Sequence, residues 1–235
     1  MTDAQILLVT AASVAFLHTI LGPDHYIVFT AMGKARAWSL SRTLQITLIC
    51  GLGHILGSVI IGTVGILAGA QLASLVEIEG LRGNLAGWAL LAFGLVYFSW
   101  GLKQAGRSRR HSHVHIHEDV VHDHEHDHHA DHSHVHDAGA RRSITPWAIF
   151  ILFVLGPCEA LIPLFMYPAA QQNAGLVVAV AFVFGLVTLV TMLACVAATT
   201  IGLQKLKLPS TGRYAHAVAG ASILVCGVAI SVIGL

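Results

Sequence analysis

Two copies of a helix-breaking motif lie inside long apolar segments, and they constrain the fold of this chain more than any other feature. Residues 22–25 read Gly-Pro-Asp-His, and residues 156–159 read Gly-Pro-Cys-Glu. Proline removes a helical hydrogen bond and clashes with the preceding turn. In lipid, the freed backbone groups are tolerated only where protein or a water-filled cavity receives them. Interrupted apolar segments at matching places in two halves therefore predict a membrane transporter built from repeats, with its binding site at the breaks.

Six segments are long and apolar enough to cross a membrane as helices, which takes about 20 largely apolar residues. Hydrophobic residues make up 55% of the chain and charged residues 11%, whereas a soluble domain has roughly 25% charged residues. The segments are 5–32, 42–69, 83–102, 146–170, 175–203 and 213–234. The predicted fold class is an all-α membrane protein with six transmembrane helices, of which the first and fourth are broken at Gly-Pro.

The positive charges predict the orientation in the membrane. If the loops alternate between the two sides, one side carries all but one of the 13 Lys and Arg residues, and the other carries only Arg82. This asymmetry places both termini outside and the loops after the first, third and fifth helices in the cytoplasm. Each half has three helices, so the second half is inverted relative to the first. We expect a 3+3 inverted repeat in the cytoplasmic (inner) membrane, with repeats at 1–102 and 143–235 and a cytoplasmic linker at 103–142.

The linker between the halves is rich in histidine and poor in apolar residues. Such a composition cannot form a core, so we expect the linker to be disordered when it is free of metal. Imidazole suits zinc, nickel, cobalt and copper, and the tract therefore predicts metal binding. The predicted loop ligands are His111, His113, His115, His117, His122, His124, His126, His128, His129, His132, His134 and His136.

Two acidic residues, Asp24 and Glu159, lie inside the predicted spans. A charge there costs at least ~3 kcal/mol on insertion scales, so such residues usually mark an ion pathway or are paired. No Lys or Arg lies deep in the predicted spans as their partner. The expected counter-charge is therefore a cation from outside the sequence.

Histidines cluster in sequence around the first break. His18 and His25 flank it, and His54 lies midway along the second predicted helix. Combined with carboxylates and a thiol, they form a ligand set that suits borderline divalent transition metals better than magnesium or calcium, which prefer oxygen ligands alone. The predicted intramembrane metal ligands are His18, Asp24, His25, His54, Cys158 and Glu159.

His18, a short spacer and then Asp24-His25 resemble the His-spacer-Asp-His signature of nickel/cobalt permeases. Over both halves the chain looks like the six-helix members of that superfamily, the nickel/cobalt efflux and urease-accessory (UreH-like) membrane proteins, which often carry a His-rich cytoplasmic loop. The resemblance implies a transporter of divalent transition-metal ions, with nickel or cobalt favoured, zinc as a third choice, and the ion as transported substrate. A ligand-rich loop on the cytoplasmic side favours export over import, because tethered ligands concentrate cargo where it is loaded.

The expected partners are metal ions and the lipid bilayer. If the protein instead imports metal for a metalloenzyme, a cytoplasmic metallochaperone becomes a further partner. No basic patch with interleaved aromatic residues indicates nucleic acid, and no recognisable nucleophile–base arrangement or phosphate-binding loop indicates an enzyme. The oligomeric state and the coupling ion stay open.

A different class of membrane protein provides the alternative. The transmembrane thiol–disulfide carriers of cytochrome biogenesis are also 3+3 inverted proteins, with a Pro-Cys break in the first and fourth helices. Cys158 after Pro157 is similar to one half of that pair, but the matching position of the first half is Asp24, which cannot form a disulfide. Redox shuttling needs two thiols within reach, and the metal-transport hypothesis is therefore preferred. A metal sensor or buffer that uses the loop alone leaves the buried acids unexplained.

Overall fold

The structure is a computed structural model, and it describes residues 2–107, 112–117, 120–125, 145–156, 158, 160–205 and 212–233. Most of these residues are helical. The α-helices are α1 (Asp3–Leu21), α2 (Asp24–Ala35), α3 (Leu40–Leu67), α4 (Leu72–Arg107), α5 (Thr145–Leu155), α6 (Leu161–Ala170), α7 (Ala174–Lys205) and α8 (Ala215–Val228). A 3₁₀ turn at Gly212–Tyr214 precedes α8, and a π-helical turn at Ala229–Ile233 follows it.

Within the described ranges, five helical stretches are long and apolar enough to cross a membrane. They are α1, α3, α4, α7 and the stretch Gly212–Val232. The prediction of a helical, multi-pass membrane protein is therefore confirmed. The fourth predicted segment, 146–170, consists instead of α5 and α6, which have 11 and 10 residues and are each too short to span the hydrocarbon core alone.

The first break separates α1 from α2 at the predicted place. The Gly22 amide still donates to the His18 carbonyl at 3.0 Å, and the helix then stops before Pro23. A new helix begins at Asp24, since proline is well tolerated just before the first turn, where its missing amide hydrogen needs no partner. The Asp24 carboxylate therefore lies at a helix N-terminus, where negative charge is favourable.

The second break separates α5 from α6, as the sequence predicts. The Gly156 amide donates to the carbonyls of Leu152 and Phe153, both at 3.1 Å, and this ends α5. The Leu161 amide then donates to the Cys158 carbonyl at 2.9 Å at the start of α6. Cys158 thus lies between α5 and α6 in the sequence and belongs to neither helix.

Part of the linker forms a β-hairpin. Strands β1 (Ser112–His117) and β2 (Val120–Glu125) pair in antiparallel orientation, and their register places His113 opposite His124 and His115 opposite His122. The expectation of a disordered linker is wrong for these two strands. Valine and isoleucine alternate with histidine at several of their positions, which is a pattern compatible with pairing. Outside the hairpin, the regular structure of the described residues is helical.

Glycines bring α4 and α8 close together. A Cβ added at Gly220 of α8 would contact the Phe98 backbone of α4, and one added at Gly227 would contact the Leu91 backbone. Small residues at such crossings let helix backbones approach, which is a main source of helix association in lipid. These close contacts hold α4 and α8 together as a pair.

Gly220→Ala should force α4 and α8 apart and lower the free energy of unfolding by about 1–3 kcal/mol, the usual cost of overpacking. The matched control is Gly202→Ala in α7, where nothing lies within 4 Å of the added Cβ. In that open position alanine should stabilise the helix by about 0.5–1 kcal/mol. Thermal unfolding in detergent, followed by circular dichroism, compares the two variants. Equal melting temperatures would contradict the assignment of Gly220 to the helix contact.

Candidate functional site

Three histidines from three helices meet at the first break. His18 lies in the last turn of α1, His25 in the first turn of α2, and His54 in the middle of α3. One nitrogen from each ring lies within 4.8 Å of the other two. The ring centroids are 5.0 Å apart for His18 and His25, and 5.4 Å apart for His25 and His54. Three imidazoles at this spacing form a donor set for a transition-metal ion.

Asp24 and the broken backbone orient His25. The Nδ1 atom of His25 lies 3.2 Å from Asp24 Oδ1 and 3.1 Å from the Gly22 carbonyl oxygen. Both oxygens are acceptors, so Nδ1 donates and the lone pair of the neutral ring is on Nε2. Gly22 is required for this approach, because an added Cβ would contact the His25 ring. In contrast, Nε2 of His18 is buried without a hydrogen-bond partner among the described residues.

Cys158 pairs with His54 across 104 positions of sequence. The Cys158 Sγ lies 3.2 Å from His54 Nε2, and His54 Nδ1 lies 3.2 Å from the Phe153 carbonyl oxygen. A carbonyl only accepts, so Nδ1 carries the hydrogen and Nε2 accepts the thiol proton. Cys158 is fully buried and His54 is 3% exposed. The Cys158 thiol is therefore a nucleophile beside a base, His54, which the Phe153 carbonyl orients. The sequence analysis did not identify this arrangement.

A buried ion pair lies on the other side of Cys158. Glu79 is fully buried in α4 and contacts Arg82 one turn later, and both contact the Ser58 hydroxyl of α3. The Cys158 amide donates to the Ser58 Oγ and to Glu79 Oε2, each at 3.2 Å. The guanidinium of Arg82 donates to the carbonyl oxygens of Val154 at 2.8 Å and Gly156 at 3.1 Å.

The sequence analysis did not include this pair in a predicted span. The third predicted span begins at residue 83, whereas α4 begins at Leu72 and includes both Glu79 and Arg82. Glu79 is therefore an acidic residue of a candidate spanning helix that the predicted spans left out. The signal in the sequence was their i, i+3 spacing, which lets opposite charges on a helix pair and lowers the cost of burying them.

A cavity of about 340 Å³ lies beside the histidine cluster. His18, Asp24, His25 and His54 line one side of it, and Gly156 at the end of α5 also borders it. Small residues of α4, among them Gly83 and Gly87, line the opposite wall. The cavity is large enough for several water molecules or a hydrated ion beside the histidines.

The structure brings together most of the predicted intramembrane residues. His18, Asp24, His25 and His54 lie around one cavity, and Cys158 contacts His54. Glu159 lies outside the described residues. Among the loop histidines, the backbone positions of His113, His115, His117, His122 and His124 are described in the hairpin. The others, His111, His126, His128, His129, His132, His134 and His136, lie outside the described ranges.

A family model described as the cytochrome C biogenesis protein transmembrane region matches residues 26–229. The matched stretch begins directly after His25 and includes His54, Glu79, Arg82 and Cys158. No curated protein and no solved structure matches the chain. The predicted membership of the nickel/cobalt superfamily is therefore wrong, and so is the metal-transport function that followed from it. The match supports the thiol–disulfide alternative.

The Cys158–His54 contact predicts a reactive thiol. In a chain whose other cysteines (Cys50, Cys195 and Cys226) are replaced by alanine, His54→Ala should slow alkylation of Cys158 by about tenfold or more, because the thiol loses its proton acceptor. His18→Ala is the control, since it removes a ring from the same cluster but leaves the Cys158–His54 contact in place. Mass spectrometry of time-resolved alkylation measures both rates. Equal rates in the two variants would contradict the assignment of His54 as the base.

Proposed function

Because the chain belongs to the family of cytochrome c biogenesis transmembrane regions, we propose that it carries out thiol–disulfide exchange in the membrane, with Cys158 as the reacting thiol. The observation that carries this proposal is the 3.2 Å contact between Cys158 Sγ and His54 Nε2. A thiolate, rather than a thiol, attacks a disulfide. An imidazole that accepts the proton at the moment of attack provides that thiolate even at a buried position.

The exchange proceeds in three steps. In the first, the Cys158 proton passes to His54 Nε2 while the sulfur attacks a substrate disulfide; one substrate S–S bond breaks, a mixed disulfide forms, and the leaving thiolate takes up a proton. In the second, a thiol of a reduced dithiol protein attacks the mixed disulfide and releases Cys158. The second thiol of that protein then frees the substrate. The substrate gains two electrons, the dithiol protein loses two, and Cys158 returns to a thiol.

This cycle accommodates the single cysteine at the breaks. Asp24 occupies the position where the first half would need its thiol, and the structure describes all four cysteines as free. The resolving thiol therefore comes from a thioredoxin-like partner. Because Cys158 is fully buried, exchange requires a conformational change that exposes its thiol.

The finer architecture belongs to the same proposal. We count α5 and α6 together as one interrupted crossing, which makes six crossings and a 3+3 inverted repeat. The two Gly-Pro breaks at matching places support this count. The distribution of Lys and Arg supports an inner-membrane location with both termini outside and the histidine-rich linker in the cytoplasm.

Cys158→Ser should abolish the mixed disulfide, because an oxygen cannot form the S–S bond. The experiment incubates the purified protein with a thioredoxin-like protein whose resolving cysteine is replaced by serine and whose remaining cysteine carries thionitrobenzoate as a mixed disulfide. Attack by Cys158 on this disulfide releases thionitrobenzoate and leaves an intermolecular disulfide that accumulates. Cys195→Ser, which changes a partly exposed thiol of α7, is the control and should trap as well as the parent. A trapped adduct that persists in Cys158→Ser would place the reacting thiol elsewhere. The absence of an adduct in the parent would contradict the proposed function.

A second proposal concerns a bound metal ion rather than a transported one. The nitrogens of His18, His25 and His54 lie within 4.8 Å of one another, and the buried His18 Nε2 has no partner among the described residues. A zinc, nickel or cobalt ion would satisfy that atom, with Asp24 as the orienting carboxylate of His25. The His54 Nε2 lone pair would then serve either the ion or the Cys158 proton. A bound ion is therefore expected to inhibit thiol exchange.

The linker histidines are proposed as a separate metal-binding element. The hairpin register aligns His113 with His124 and His115 with His122, so residues of one metal-binding type occupy facing positions of two strands. Deleting residues 111–136 should remove the metal ions that the linker binds and leave the intramembrane metal site in place. Cys158 and Glu159, predicted as further ligands of that site, are not needed for a three-histidine centre.

The intramembrane ion should be detectable by cobalt(II) titration of the chain that lacks residues 111–136. We expect one equivalent, visible as ligand-field absorption, and a loss of about tenfold or more in affinity in His25→Ala, since one of three ligands disappears. His216→Ala is the control, because that ring is hydrogen-bonded to the Tyr97 hydroxyl at 2.8 Å and is not part of the cluster. Unchanged affinity in His25→Ala would exclude a three-histidine centre.

A further inference from the structure

The ion pair of Glu79 and Arg82 has contacts that stability alone does not require. Glu79 is fully buried, and the Arg82 side chain is 14% exposed. Replacing a buried ion pair by well-packed apolar residues is often neutral or stabilising, so burial of both charges calls for a reason other than stability. Their partners are the two features that define the second break: the end of α5 and the backbone of Cys158.

Arg82 is hydrogen-bonded to the end of α5. The last carbonyls of a helix lack partners within the helix, and α5 ends at Leu155. Arg82 Nη2 donates to the carbonyls of Val154 and Gly156 at 2.8 and 3.1 Å. Gly57 of α3 provides the space, because an added Cβ would lie 3.0 Å from Arg82 Nη2 and 3.3 Å from the Val154 oxygen.

Glu79 and α3 hold Cys158 at two points. The Cys158 amide donates to Glu79 Oε2 and Ser58 Oγ, and its sulfur lies against His54 Nε2. Ser58 and His54 are four residues apart on α3, so they lie on the same helix face one turn apart. The amide and the thiol of one cysteine are thus attached to adjacent turns of one helix, and this fixes the direction of the Cα–Cβ bond.

We propose that Glu79 and Arg82 are positioning residues for Cys158. They hold the end of α5 and the backbone of Cys158 so that the thiol stays within reach of its base. Among the described residues, neither side chain is hydrogen-bonded to the Cys158 sulfur. Neither exchanges a proton with the substrate. This inference rests on the proposed thiol–disulfide exchange, because it assigns the pair a role in that reaction.

The test uses the full chain with Cys158 as its single cysteine. The rate of mixed-disulfide formation with a small aromatic disulfide is measured for the parent, Glu79→Gln and Arg82→Met, each of which leaves one buried charge without its partner. We expect each variant to react at about one tenth of the parent's rate or more slowly. Arg82→Lys should recover part of the rate, because it keeps the charge. The matched control is Glu77→Gln, which changes an exposed carboxylate of the same helix and should react like the parent.

A spectroscopic signature separates positioning from general destabilisation. With ¹⁵N-cysteine as the label, the single amide resonance of Cys158 reports its hydrogen bonds to Glu79 and Ser58. The resonance should move in Glu79→Gln and in Ser58→Ala, and it should stay in place in Glu77→Gln. If Glu79→Gln fails to fold, Ser58→Ala decides, because it removes one acceptor of the Cys158 amide and leaves the ion pair intact.

The outcomes distinguish this inference from the proposed function. If the parent does not form a mixed disulfide at all, thiol exchange is wrong, while the amide resonance still reports whether the pair holds Cys158. If the parent reacts, and the folded Glu79→Gln and Ser58→Ala variants react as fast as the parent, the positioning role is wrong and thiol exchange stands. A rate loss in Glu77→Gln equal to that in Glu79→Gln would also overturn the positioning role.

Discussion

The site depends on a single constraint, which is that the backbone carbonyls freed by two helix breaks must find partners inside the protein. Lipid offers no hydrogen bonds, so each freed group costs several kcal/mol if it is left alone. At the first break the Gly22 carbonyl accepts from the His25 ring. At the second, Arg82 donates to the carbonyls of Val154 and Gly156, and the His54 ring donates to that of Phe153. The side chains that satisfy the backbone are the same ones that build the site.

The two breaks are similar in sequence and differ in chemistry. The first uses a carboxylate and two imidazoles, a set suited to a cation, whereas the second uses a guanidinium, a carboxylate and a hydroxyl around one thiol. His54 belongs to both, because its ring centroid lies 5.4 Å from that of His25 at the first break, and its two nitrogens contact the Phe153 carbonyl and the Cys158 thiol at the second. A change at either break therefore acts on the other through this ring.

The sequence was sufficient to predict the helical membrane class, the position of both breaks, and the grouping of Asp24, His25 and His54. These depend on local rules: the length of apolar runs, the effect of proline, and the cost of intramembrane charge. The Cys158–His54 contact joins residues 104 positions apart, and no local rule predicts it. Glu79 and Arg82 were missed because their charges lower the hydropathy of the start of α4, although their mutual pairing is what allows burial. The family was misjudged because a His-Asp-His pattern at a break is chemically suited to metal and does not by itself indicate transport.

The length of α4 has a consequence for the linker that follows it. With 36 residues the helix is about 54 Å long, which exceeds the ~30 Å of the hydrocarbon core and even the ~45 Å of the whole bilayer. Tilt absorbs part of the difference and protrusion absorbs the rest. The exposed Lys103 and Gln104 lie in its last turns, and a polar end of this kind is compatible with protrusion. Protrusion at this end would separate the residues that follow α4 from the lipid surface, and a soluble protein that binds them would need no affinity for lipid.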